Sequence, residues 1–173
     1  ALDRAHGGYM EAFDRTWCPL DDVRLSSGDA RAAKSFNTHL HVLEAFTNLL
    51  RVWPDGELAR QIRALVELHL QTIYDAGTHH FHPFFDVDWS VRATPYSFGH
   101  DIEAAWLMAD AARLLQDSGA CAPGSAAERS ALRAAVDALV VDVADVTVSE
   151  GVDAVHGGLF YLGQGLHGGN GSG

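Results

Sequence analysis

Four runs of this chain space their apolar residues with helical period, and turn-rich segments separate them. The first run, Phe36–Val52, stops at Trp53-Pro54-Asp55-Gly56, whose proline and glycine end a helix. The second covers Glu57–Tyr74. Leu58, Ile62, Leu65, His69 and Ile73 recur at three- to four-residue steps on one face, and Arg60, Arg63 and Glu67 fall largely on the other. The third covers Gly99–Asp117 and the fourth Ala126–Val148, with Ser118–Ser125 between them. β-Branched residues crowd Val140–Val148, which weakens the helical prediction toward that end.

Three aromatic, glycine-rich segments flank the helix pairs: Gly7–Asp14, Thr78–Asp86 and His156–Tyr161. They read as related short hairpins spaced by roughly 70 to 75 residues, so loop, helix, helix and loop form an internal repeat. Helix pairs stacked at a fixed period build a solenoid or a closed toroid. About three such units are needed to bury the apolar faces, and this chain has about two. It opens without Met and closes in Gly168-Gly169-Asn170-Gly171-Ser172-Gly173. The expectation is a processed chain or a section of a larger ring, with residues 1–165 as a partial domain and 166–173 as a flexible tail.

Composition narrows the function classes. A hydrophobic content of 47% supports a real core. The net charge of −11 argues against a nucleic-acid partner, which would require clustered Lys and Arg. No apolar run approaches the roughly 18 residues that span a bilayer, and no signal-peptide pattern opens the chain. Cys18 and Cys121 form neither a metal spacing nor a disulfide framework, so a reduced, cytoplasmic setting is expected. No phosphate-binding glycine fingerprint and no Gly-x-Ser-x-Gly elbow is present. Oligomeric state leaves no signal.

Chemistry concentrates in two helix starts, Asn37-Thr38-His39-Leu40-His41 and Ser97-Phe98-Gly99-His100-Asp101-Ile102-Glu103. Histidines repeated at helix N-termini suggest proton handling. Asn37 and His41 are four apart and share a face that Glu44 and Asn48 extend, whereas His39 points elsewhere. Their alternative role is as satisfied polar groups in a helix interface. Ser97 is a candidate N-cap, which puts His100 at the third helical position and Glu103 one turn later on the same side. The carboxylate favours a charged imidazole and the helix N-terminus a neutral one. Such opposition poises a general base near neutral pH. The competing role is a capping histidine paired with a glutamate for stability. His79, His80 and His82 lie on a hairpin where neighbouring side chains diverge, and no metal is expected there. Trp17, Trp53, Trp89 and Trp106 are either sugar-stacking surfaces or core, and Trp106 reads as packing.

At these same residues the chain resembles a known family. Lys34 through Thr47 (KSFNTHLHVLEAFT) and Ser97 through Leu107 (SFGHDIEAAWL) are similar to the cellobiose 2-epimerases of the N-acylglucosamine 2-epimerase superfamily. Gly7–Arg15 and Phe84–Trp89 fit as well, and the likeness runs from about Ala5 to Leu115, then more weakly to Tyr161. The resemblance implies an all-α fold that is part of an (α/α)6 barrel, with the site at the mouth of the inner ring. It implies reversible epimerisation at C2 of the reducing-end sugar of β-1,4 disaccharides (cellobiose, lactose, mannobiose). The proton moves through a cis-enediol between two histidines, without metal or other cofactor. His100 matches one of the histidines and Glu103 the carboxylate near it; Asn37 and His41 match residues facing the sugar. The rival expectations are a mannose or glucose isomerase, a monosaccharide 2-epimerase, or a non-catalytic sugar-binding repeat. The family's tryptophan-rich helix and second catalytic histidine have no counterpart here. Neither do its early arginine and tyrosine contacts to sugar, and His156 and His167 do not match the second histidine. The 173-residue chain alone is therefore expected to be inactive.

Overall fold

The computed structural model describes residues 1–18, 20, 32–92 and 95–163. The expected tail at 166–173 lies outside them. Two helix pairs form the body: α1 (Phe36–Val52) with α2 (Gly56–Leu68), and α3 (Phe98–Asp117) with α4 (Ala126–Val146). Each start is fixed by a side-chain oxygen that accepts a first-turn amide. Ser35 takes Thr38 N at 3.1 Å, Asp55 takes Glu57 N and Leu58 N at 2.9 Å, and Ser97 takes His100 N at 3.4 Å. Ser125 and Glu128 form a reciprocal capping box at the head of α4.

The helices predicted through Tyr74 and Val148 end differently. α2 passes into a π-turn at His69–Ile73 and α4 into another at Thr147–Gly151, each followed by an extended residue. Helical spacing continues through the buried Ile73, so apolar period alone could not separate a π-turn from an α-turn.

Leu40 and Leu43 of α1, Ile62 and Val66 of α2, and Val136 and Val143 of α4 are fully buried. Each such aliphatic side chain contributes about 1.5–3 kcal/mol. α3 presents Ala104, Ala105, Met108, Ala111 and Ala112 to this core, small residues that let neighbouring helices approach closely.

Among the described residues six two-residue strands clip the loops: β1 (Lys34–Ser35), β2 (Tyr74–Asp75), β3 (His80–Phe81), β4 (Phe84–Phe85), β5 (Tyr96–Ser97) and β6 (Leu162–Gly163). β1, just before α1, pairs antiparallel with β4; β5, just before α3, pairs antiparallel with β6. The three predicted hairpins share one construction, closed by Leu2–Tyr9, Tyr74–Phe81 and Val152–Leu159. In each, an aspartate opens the turn and its carboxylate accepts amides two or three residues ahead: Asp3 from Ala5 and His6, Asp75 from Gly77, Asp153 from Val155 and His156. The same left-handed position is filled by Gly7 (φ 74°), His79 (φ 61°) and Gly157 (φ 78°).

The first hairpin is tied down by Lys34, a fully buried lysine. Its Nζ donates to Gly7 O and Val87 O at 2.8 Å, pairs with Asp3 at 2.9 Å and sits 4.6 Å from the centre of the Trp89 ring. The ammonium holds the Asp3 carboxyl well below the usual carboxylate range.

α1 and α3 lie side by side with their starts at the same end. The Phe36 ring of α1 stacks on Phe81 at 4.8 Å, and the Phe81 amide bonds to Asp101 of α3 at 3.2 Å. Toward the far ends Arg51 pairs with Asp110.

Candidate active site

The start of α1 sorts its histidines by direction. Asn37 and His41 are exposed, and His41 Nδ1 lies 3.0 Å from Glu44 Oε2. They are therefore not buried in a helix interface. His39 faces inward and is fully buried. Its Nδ1–H donates to Ser35 O at 2.6 Å, and its Nε2 accepts the Tyr9 amide at 2.8 Å. One nitrogen must carry a proton and the other a lone pair, which defines a neutral ring. Burial brings its pKa down to about 4. His39 is an anchor for the first hairpin, with both ring nitrogens engaged by backbone groups. Glu11 completes this end of α1: its carboxylate accepts Ser35 N at 2.6 Å and the Thr38 hydroxyl at 2.9 Å, close to the positive pole of the helix.

α3 begins as the N-cap prediction requires. His100 is at the third helical position, and both it and Glu103 are half-buried. Their side chains make no hydrogen bond to each other. A residue one turn on must fold back to meet its neighbour. Glu44 does so toward His41, whereas Glu103 does not do so toward His100.

The residue between them carries the dense network. Asp101 is 1% exposed; its carboxylate accepts His80 Nδ1–H at 2.7 Å and the Phe81 amide. Burial raises the Asp101 pKa, partly offset by the His80 hydrogen bond. The His80 ring stacks on Tyr96 and meets the edge of Phe98. Tyr96 donates to Glu150 at 3.1 Å, and burial followed by this carboxylate pushes its pKa up to about 12.

The three clustered histidines each engage a different partner. His79 joins Tyr74 Oη at 2.7 Å, His80 joins Asp101, and His82 lies 3.8 Å from Asp75. Among the described residues no three His, Cys, Asp or Glu side chains converge to hold a metal. Trp89 is packing, in edge contact with His39 and Phe85. Trp106 was expected to pack as well, but it is 64% exposed, because Leu107 and Met108 beside it take the core-facing positions of that turn.

With its paired helices and their capped starts, the chain belongs to the N-acylglucosamine 2-epimerase (GlcNAc 2-epimerase) family, whose model it matches over residues 3–165. Its relatives include the cellobiose 2-epimerase of Bacteroides fragilis, 44% identical over 142 residues, covering 82% of this chain and 36% of the relative. That of Dictyoglomus turgidum is 38% identical over 111 residues, 64% of this chain and 28% of the relative. Among solved structures, cellobiose 2-epimerase from Bacillus thermoamylovorans superposes with a TM-score of 0.74 at 30% identity, covering 92% of this chain and 40% of that one. The two helix pairs are thus part of an (α/α)6 barrel. The chain spans about a third of the length of the curated relatives it matches. Among the described residues no helix is long and apolar enough to cross a membrane.

Proposed function

We propose that the protein epimerises C2 of the reducing-end glucose in β-1,4 disaccharides such as cellobiose and lactose. The observation that carries this reading is that the starts of α1 and α3, which bear Asn37 and His41 and His100 and Glu103 respectively, lie at the same end of a chain of this family. In the open-chain sugar the C2 proton is acidified by the C1 carbonyl. His100 removes it, the C–H electron pair forms the C1–C2 double bond, and the carbonyl oxygen takes a proton to give a cis-enediol. Return of a proton to the opposite face of C2, with loss of the proton from the C1 oxygen, restores the carbonyl and leaves mannose. A positioned base contributes roughly 10²–10⁴-fold to such a step. Asn37 and His41 hold sugar hydroxyls, and Glu103 is the carboxylate on the His100 side. The second proton comes from a group across the sugar. Among the described residues His156 does not fill that role, being committed to its own hairpin through Asp153 at 3.1 Å; His167 lies outside the described residues.

The test uses the full product of the reading frame that contains this chain, incubated with cellobiose in D2O and followed by proton NMR. The expected product is glucosyl-mannose carrying deuterium at C2, and H100N is expected to lower kcat by about 10²–10⁴-fold. Residues 1–173 alone should give no turnover. An unaffected H100N would sink the assignment of His100, and a ketose product would establish an isomerase instead.

A further inference from the structure

We propose that the buried His80–Asp101 pair is the positioning device for His100, present to hold the first turn of α3 in register for proton transfer. The inference rests on the reading of His100 as the proton-transfer group.

The two helix starts are built on one plan. Counting from the N-cap serines, Phe36 corresponds to Phe98, Thr38 to His100, and His39 to Asp101. The fourth position has the same task in both. His39 Nε2 accepts the amide of Tyr9, which closes the first hairpin, and Asp101 Oδ1 accepts the amide of Phe81, which closes the second. A hairpin is therefore docked on each helix start by one buried acceptor.

What α3 adds exceeds that task. α1 docks its hairpin with a neutral imidazole, whereas α3 uses a carboxylate buried to 1% exposure. A buried carboxylate is costly unless it is fully hydrogen-bonded. It therefore requires the second donor, His80 Nδ1, at 2.7 Å. The position of His80 in the first hairpin is occupied by Gly8, which has no side chain to offer. His80 is itself held on several sides. Tyr96 stacks on its face and Phe98 meets its edge, while its Nε2 lies 3.5 Å from Glu150 Oε2, the oxygen to which Tyr96 donates, without a hydrogen bond. The strand before α3 and the turn after α4 thus meet the hairpin at His80, the partner of the residue that follows His100. The buried carboxylate–imidazole pair is found at the helix whose third position is histidine; at the one whose third position is threonine, Glu11 binds Ser35 N and the threonine hydroxyl instead.

His100 itself is capped by a long bond, 3.4 Å from Ser97 Oγ, so the cap alone defines its place loosely. A displacement of about 1 Å of a proton-transfer group costs on the order of 10²-fold in rate. The function of the pair is to prevent that displacement without touching the sugar.

The experiment measures kcat and KM for cellobiose in the full product of the reading frame, at a temperature well below melting, for D101N, H80F and H100N. D101N retains an acceptor for the Phe81 amide but mispairs with His80. H80F retains the ring stack on Tyr96 and loses the donor. Both are expected to lower kcat by about tenfold to a hundredfold with KM within about twofold of the parent. H80Q, which restores a donor toward Asp101, should recover part of the loss relative to H80F. If D101N does not fold, H80F and H80Q decide. The proposal is overturned if H80F keeps kcat within about twofold of the parent while H100N is inactive, or if KM rises with kcat unchanged. An active H100N would instead defeat the functional reading on which the proposal rests.

Discussion

Two buried neutral histidines make the stability of this fold depend on pH in a calculable way. His39 and His69 are fully buried. Burial lowers both to about 4 from an ordinary value of 6.5. The unfolded chain therefore takes up both protons near pH 6.5, while the folded chain refuses them until about pH 4. Within that window the unfolded state holds up to two more protons, so stability rises with pH. One proton corresponds to about 1.4 kcal/mol per pH unit, giving a slope of roughly 2–3 kcal/mol per unit near pH 5 and a loss of about 3 kcal/mol per histidine across the window. The full contribution is present above pH 7 and is lost as the pH falls through 6.5 toward 4. Asp101 has the opposite sign, since its raised pKa lets the folded state gain a proton on acidification and offsets part of the loss. Asp3 does not act in this window: its depressed pKa stabilises the fold above the ordinary carboxylate range, and that contribution fades only below it. Urea unfolding of the purified chain, followed by circular dichroism from pH 5 to 8, measures the slope. H69L removes one of the two titrating groups and should reduce the slope by about half. A wild-type stability flat between pH 5 and 7, or a slope that H69L leaves intact, would refute the assignment of these rings as neutral.

Two further substitutions probe the first hairpin. Gly8 has φ 71°, and a Cβ there would lie 2.5 Å from Trp89 and 2.6 Å from His39, so G8A should cost about 3 kcal/mol; Gly7 has φ 74° and open space, so G7A should cost only about 1 kcal/mol of backbone strain. Equal losses in urea melts would show that the hairpin does not pack as described. K34M removes a buried ammonium that joins Asp3, Gly7 and Val87, and should destabilise by about 3 kcal/mol. Unchanged unfolding midpoints would place Lys34 outside the stabilising network.

The helix pairs were legible because α-helical packing leaves its signature within a few residues: the Leu58–Ile73 stripe and the breaker at Trp53–Gly56 locate α2 without any knowledge of its neighbours. The site was legible where direction follows from local spacing. His39 could be set apart from His41 because positions two apart on a helix diverge. The role of His39 could not be read, because its partner Tyr9 lies thirty residues earlier and the contact depends on how the first hairpin folds back. His80 and Asp101 were hidden for the same reason, twenty-one residues apart and joined across two elements. A signal for them did exist. Aligning Ser35-Phe36 with Ser97-Phe98, and Asp3 with Asp75 and Asp153, sets His39 against Asp101 and Gly8 against His80. Trp106 misled because a tryptophan in a run of alanines and leucines looks like core, although its position on the turn places it outside.

The docking rule at the helix starts also gives the chain a direction of assembly. The closing amide of the first hairpin is received by α1 and that of the second by α3, in each case by the helix that comes later in sequence. A loop wired in this way is complete only once the polypeptide behind it has been made, so during synthesis each loop waits on its successor. Loss of a helix start then loosens the loop upstream of it. Damage in such a ring spreads toward the N-terminus, and a lesion at the head of α3 would be felt first at Phe81.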